Sequence, residues 1–190
     1  MSRGPKFAVF ASGSGSNFQA IHEAVDNGML VGKLALVVSD KPEAYVLKRA
    51  KKAGIATLAI PPSSFMSKTD YERAILEKLM ELEIEWIVLA GYMRLIGEVL
   101  LTAFENRITN IHPSLLPSFP GKDAIGQALI HGVKVTGVTV HIVDSGMDTG
   151  LILAQQAVDV IEGNREETEK RIHAIEHDLY PKTLQHLWSR

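Results

Sequence analysis

Short apolar runs alternate along this chain with longer segments of helical spacing. Lys6 to Ala11 (KFAVFA) and Lys33 to Ser39 (KLALVVS) are near-continuous apolar runs and predict buried strands. Between them QAIHEAVDNGML, residues 19–30, spaces its apolar positions as a helix does and carries Gly28 near its end. YVLKRAKKAG (45–54) is a second helix stopped by Gly54, followed by a short strand, ATLAI (56–60), and the turn-forming PPSS. An amphipathic helix is expected from Tyr71 to Glu83, leading into WIVLAGY (86–92), a strand buried enough to need no alternation. Beyond it ITNIH (108–112) reads as a strand and DAIGQALIHG (123–132) as a helix. TGVTVHIV (136–143) and LILAQQAVDV (151–160) read as two further strands. The last helix covers residues 166–188, with Pro181 as a point where it bends. Strands alternating with helices are the signature of βαβ units, so the prediction is α/β: a doubly wound, Rossmann-like, mostly parallel sheet with helices on both faces. With no internal repeat or linker, residues 1–190 are expected to form one domain. A sheet of this kind takes ligands at the C-terminal ends of its strands.

Composition narrows the class of function. A chain of 190 residues with 46% hydrophobic and 22% charged content is an ordinary globular protein, neither disordered nor membrane-spanning. A net charge of -2 gives no global attraction to nucleic acid, and the absence of cysteine removes disulfides and cysteine-rich zinc sites. The start, MSRGPKFAVFASGSG, places positive charge before an apolar run, but FAVFA is too short for a signal segment and breaks into Gly and Ser. A cytoplasmic protein without membrane partners is expected.

Three loops carry the candidate chemistry. SGSGSN (12–17) follows the first strand and opens the first helix, where Gly13 and Gly15 would let a ligand approach the backbone and helix-terminal amides would favour an anion such as phosphate. The plain alternative is a tight turn in which Ser16 or Asn17 caps the helix. A dinucleotide fingerprint with Asp40 as its ribose-binding acid fits less well, because Phe18 stands where the third glycine belongs. In NIHPSLLPSFPG (110–121), Asn110 and His112 are two residues apart, so an extended strand turns both to one side and Ile111 into the packing. An amide donor beside an imidazole suits oxyanion stabilisation and proton movement in acyl transfer, while Pro113, Pro117 and Pro120 restrict the conformations of the segment after His112. DSGMDTG (144–150) brings Asp144 and Asp148 into a glycine-rich turn, and a carboxylate from it near His112 would complete an acid/base pair. Spacing alone does not choose between the two acids, which are also common turn residues. The remaining histidines, His141 in a strand among them, are weak catalytic candidates; His173 and His177 have i,i+4 spacing but lack the glutamate of a zinc-protease motif, so no metal site is expected.

Taken together, SGSGSN, LAGYMRLI, NIHPSLLPSFPG, VDSGMDTG and EHDLYP resemble the phosphoribosylglycinamide formyltransferase family, folate-dependent enzymes of purine synthesis, over almost the whole chain. The resemblance implies formyl transfer from 10-formyltetrahydrofolate to the amine of glycinamide ribonucleotide, with no metal, in a monomer or homodimer. It implies Asn110, His112 and Asp148 as the catalytic trio, and Gly15, Ser16 and Asn17 as the substrate-phosphate loop. Glu176 would lie at the glycinamide end. Folate would lie against Met93, Arg94, Leu95 and Ile96, with Asn110, Asp144 and Asp148 closing on its pteridine ring and Lys68 near its carboxylate. Two departures from the family pattern are Lys68, where Arg is frequent, and Leu151, where Pro is; they bear on folate affinity and loop rigidity. Methionyl-tRNA formyltransferases and formyltetrahydrofolate hydrolases share the central segment but resemble longer chains with an additional domain. A non-catalytic nucleotide- or folate-binding module would have no need of Asn110, His112 and Asp148 together.

Overall fold

In a computed structural model, which describes residues 4–189, one sheet of seven strands runs in the order β3-β2-β1-β4-β5-β6-β7. The strands are β1 (Lys6–Phe10), β2 (Lys33–Ser39), β3 (Ala56–Ala59), β4 (Trp86–Leu89), β5 (Ile108–His112), β6 (Val135–Ile142) and β7 (Ile152–Asp159). The first five are parallel, and β6 pairs antiparallel with both β5 and β7. The helices are α1 (Ser16–Asp26), α2 (Tyr45–Lys52), α3 (Lys68–Glu81), α4 (Glu98–Ala103), α5 (Ala124–His131) and α6 (Arg165–Trp188). The positively charged start at Met1–Arg3 lies outside the described residues. No helix among those described is long and apolar enough to cross a membrane.

The mostly parallel α/β sheet expected from the apolar runs is the one observed, and alternate residues of its strands feed two cores. Phe7 and Val9 of β1 pack with α1, α2 and α6 through Phe18, Val46 and Ile172. Ala8 and Phe10 point the other way, to Ile75 and Leu79 of α3 and Leu100 of α4. Burial on both faces is why these strands read as unbroken apolar runs. From β1 the chain builds outward to β3, then returns to lay β4 on β1's other side, so the crevice between the C-terminal ends of β1 and β4 is the switch point where such sheets bind ligands.

Several local expectations are corrected. Gly15, left-handed at φ 77, precedes the first turn of α1, and no side chain caps that turn, so neither Ser16 nor Asn17 is the cap. Helix α3 begins at Lys68 rather than Tyr71 because the Ser67 side chain accepts from the Asp70 amide at 3.1 Å. Strand β4 stops at Leu89, short of Tyr92; Gly91, at φ 78, turns the chain. Helix α4, six residues after Gly97, is an addition to the expected elements, being too short for a helical period to stand out. Pro181, where a bend is expected, lies inside α6 and does not end it.

Candidate active site

The β1–α1 loop is fixed by its glycines in different ways. A Cβ on Gly15 would sit 2.6 Å from Val46 Cγ2, and its positive φ disfavours any other residue, so this glycine serves the fold itself. A Cβ on Gly13 would meet nothing within 4 Å; the open approach to the backbone is at Gly13. Beyond them the uncapped first turn of α1 presents backbone N–H groups at the positive end of the helix, the arrangement that favours an anion. Arg49 reaches this loop, its Nε donating to Ser14 O at 2.8 Å. Asp40 is unsuited to ribose binding: it is 8% exposed and accepts the Ser12 hydroxyl at 2.5 Å. The same Ser12 Oγ accepts the Met93 amide at 2.9 Å, tying the first loop to the turn after β4.

The candidate acid/base centre is set by strand register. Pairing β5 against β6 places Asn110 opposite His141 and His112 opposite Thr139, while Ile111 turns into the core. The His141 Nδ1–H donates to Ile142 O at 2.8 Å, leaving Nε2 to accept from Asn110 Nδ2 at 3.2 Å. His112 is 5% exposed, and its Nε2–H donates to Phe119 O at 2.8 Å. The β6–β7 hairpin then inserts Asp148 between the two imidazoles. Its Oδ2 lies 3.5 Å from His112 Nδ1 and its Oδ1 3.7 Å from His141 Nε2, and Oδ2 accepts the Gly121 amide at 2.8 Å. Burial pushes the Asp148 carboxyl up, but the hydrogen bond from the Gly121 amide and the neighbouring His112 outweigh it and hold the group below the usual carboxylate range. Asp148 is thus an anion held where a developing imidazolium, or an amine shedding a proton, would need one. The same network steadies the segment after His112. Buried Thr139 accepts the Leu116 amide at 3.0 Å and donates to Ser114 O at 2.7 Å.

Spacing left two acids open, and the structure separates them. Asp144 is exposed and closes its own turn, accepting the Gly146 amide at 3.0 Å and the Thr149 hydroxyl at 2.7 Å; it touches neither histidine. Glu176 joins the first loop instead. It is 5% exposed, and its Oε2 accepts Asn17 Nδ2 at 3.1 Å and pairs with His173 Nδ1 at 2.9 Å. Asn17 Oδ1 and His177 Nε2 are buried without a protein partner. One turn further along α6, the Tyr180 hydroxyl donates to Leu89 O at 3.0 Å and meets Thr109 Oγ1 at 2.9 Å, which docks the helix on the ends of β4 and β5.

Of the four residues in the turn after β4, Met93, Arg94 and Leu95 are exposed and Ile96 is buried in the core, so Ile96 can offer a ligand only its backbone. Arg94 lies over the Tyr71 ring, 5.7 Å from its centroid. Lys68 is half exposed at the start of α3, with Nζ 4.0 Å from Glu72. His141, weighed as a weak candidate, stands inside the centre; the signal that could have found it is that an antiparallel β6 beside β5 puts it across from Asn110. No group of three or more His, Asp or Glu among the described residues is arranged to hold a metal.

Comparison with known proteins gives concordant matches. The family model described as formyl transferase matches residues 5–184. The phosphoribosylglycinamide formyltransferase of Bacillus subtilis (strain 168) is 53% identical over 183 residues, covering 96% of this chain and 94% of that one. The crystal structure of phosphoribosylglycinamide formyltransferase from Bacillus halodurans superposes with a TM-score of 0.95 at 50% identity, covering 97% of this chain and 96% of that one. That of glycinamide ribonucleotide transformylase 1 from Geobacillus kaustophilus does so with a TM-score of 0.95 at 53% identity, covering 97% and 99%.

Proposed function

Since the chain belongs to the formyl transferase family, we propose that it transfers the formyl group of 10-formyltetrahydrofolate to the amine of glycinamide ribonucleotide, a step of de novo purine (IMP) synthesis. The observation that carries this reading is the Asp148 carboxylate seated between His112 and His141, beside Asn110, at the end of β5. The substrate amine attacks the formyl carbon, and the carbonyl π pair moves to oxygen. Asn110, with one amide hydrogen spent on His141, has a second for that oxyanion. His112 contributes once the Phe119 carbonyl gives up Nε2, so productive binding shifts the 117–121 segment. The proton leaving the attacking nitrogen passes, through water and Asp148, to the departing folate nitrogen as the carbonyl re-forms and the carbon–nitrogen bond to folate breaks.

Substrate phosphate sits on the amides of Gly15, Ser16 and Asn17, and the glycinamide end lies toward Glu176, the partner of Asn17. Folate lies along Met93, Arg94, Leu95 and Ile96, with Lys68 near its carboxylate and the 144–148 turn over the pteridine. The protein, given 10-formyltetrahydrofolate, should release tetrahydrofolate and formylglycinamide ribonucleotide only when glycinamide ribonucleotide is present. Release of formate at the same rate without the acceptor would replace this reading with hydrolysis, and binding without turnover would replace it with a carrier.

A further inference from the structure

Three hydrogen bonds involving side chains hold the turn 91–97 to the body of the protein, and α3 supplies two of them. The Tyr71 and Tyr92 hydroxyls meet at 2.7 Å, the Gly97 amide donates to Glu72 Oε1 at 2.6 Å, and the third is the Met93 amide on Ser12. Glu72 is the unexpected member. It is 3% exposed, and beyond the Gly97 amide its nearest charge partner is Lys68, 4.0 Å away and half exposed. One amide and one distant cation offset little of the cost of burying a carboxylate, so stability alone is a poor reason for an acid here. What the arrangement does provide is a short charge-assisted bond at a defined point of the turn.

Gly97 is fitted to that bond. Its φ of -103 suits any residue, so backbone freedom does not require glycine. An added Cβ would instead come within 2.8 Å of both Glu72 carboxylate oxygens and of Lys68 Cε. The missing side chain is therefore what lets the carboxylate close on the amide. The segment between this latch and Ser12 presents the exposed Met93, Arg94 and Leu95.

We propose that Glu72 is a positioning residue for the folate side of the site: by holding the Gly97 amide it fixes the far end of the turn that carries Met93, Arg94 and Leu95. This rests on the assignment of folate to that turn. Glu72→Ala should raise the KM for 10-formyltetrahydrofolate about tenfold while leaving that for glycinamide ribonucleotide within about twofold. Glu72→Gln, which keeps an acceptor oxygen, should restore most of the difference. Gly97→Ala approaches the same bond from the other side and should reproduce the selective folate effect even if Glu72→Ala does not fold. Amide hydrogen exchange over 91–97, measured without ligands, should quicken in Glu72→Ala and Gly97→Ala and much less in Glu72→Gln. Equal rises in both KM values, or an unchanged folate KM in a folded variant, would overturn the proposal. If the wild-type protein transfers no formyl group, the functional reading falls, and unchanged exchange over 91–97 would separately remove the latch.

Discussion

The two halves of the site are built by opposite means. The first loop is local: a left-handed Gly15, an open Gly13 and an uncapped helix start lie within a few residues, and the recognition they offer is made of backbone. The candidate acid/base centre is assembled from residues spread over 110–148 on two antiparallel strands and a hairpin, and it consists of side chains. A one-residue slip of β6 against β5 would carry His141 to the other face, whereas the first loop would not notice it. Binding should therefore fail by obstruction of backbone in one half, and chemistry by loss of single polar atoms in the other.

The sharpest break of this contrast is in the second half. Asp148→Asn keeps size and polarity but removes the charge shared by His112 and His141, and should lower kcat by roughly 10³-fold with both KM values little changed. His112→Asn should be severely impaired too, and the double variant should lose less than the two single losses combined. His141→Gln should cost about 10²-fold, through misorientation of Asn110. Asp144→Asn, confined to its own turn, should cost less than about tenfold. Single-turnover rates with circular dichroism as the folding control decide it; a near-normal Asp148→Asn beside an inactive Asp144→Asn reverses the assignment.

In the first half the expected loss is smaller and falls on affinity. Gly15→Val forces a branched side chain into positive φ and onto Val46, and should raise the ribonucleotide KM by about 30-fold, with some loss of stability and much less effect on the folate KM. Gly13→Ala meets no protein atom, so any rise it causes in the ribonucleotide KM reports on the ligand alone. Steady-state kinetics with each substrate varied in turn would expose an error as an equal rise in both. On the proposed folate side, Arg94→Ala should weaken binding of a folate analogue by about fivefold in calorimetry and leave the ribonucleotide alone, the effect being modest because the residue is exposed and the backbone beside it remains.

This contrast also explains what was legible in the sequence. Apolar runs such as KFAVFA and KLALVVS disclosed the doubly buried sheet, because burial on both faces leaves no alternation to misread. The resemblance of five separated segments to the phosphoribosylglycinamide formyltransferases led to the family. Hidden were features that depend on what lies across from a residue: His141 facing Asn110, Asp40 taken by Ser12, and Glu72 closing on Gly97. Gly15 shows the same limit, since its spacing suggested a ligand and its Cβ direction points at Val46. Tertiary partners decide these roles, and no local pattern encodes them.

The smallest effect tests the join between the halves and the terminal helix. Glu176 accepts from Asn17 of the first loop and pairs with His173, and that pairing raises the His173 pKa against the opposing effect of burial. A histidine whose folded pKa lies above its unfolded value contributes stability that is fully present below the unfolded value, near pH 6.5, and is lost as pH rises through the folded one. The ring is half exposed, so after solvent screening the contribution should be only about 0.5 kcal/mol. For a chain of this size that corresponds to a Tm difference of roughly 1–2 °C. His173→Gln should therefore melt below the wild type at about pH 5.5 and close most of the gap by about pH 8.5, whereas the partly buried His177 beside it, its pKa lowered chiefly by burial, contributes in the opposite sense as the medium turns acid. Thermal melts of the two proteins across that range settle the point: a gap that widens toward high pH would mean that His173 does not stabilise Glu176 as a cation, and that the buried carboxylate is held by Asn17 alone.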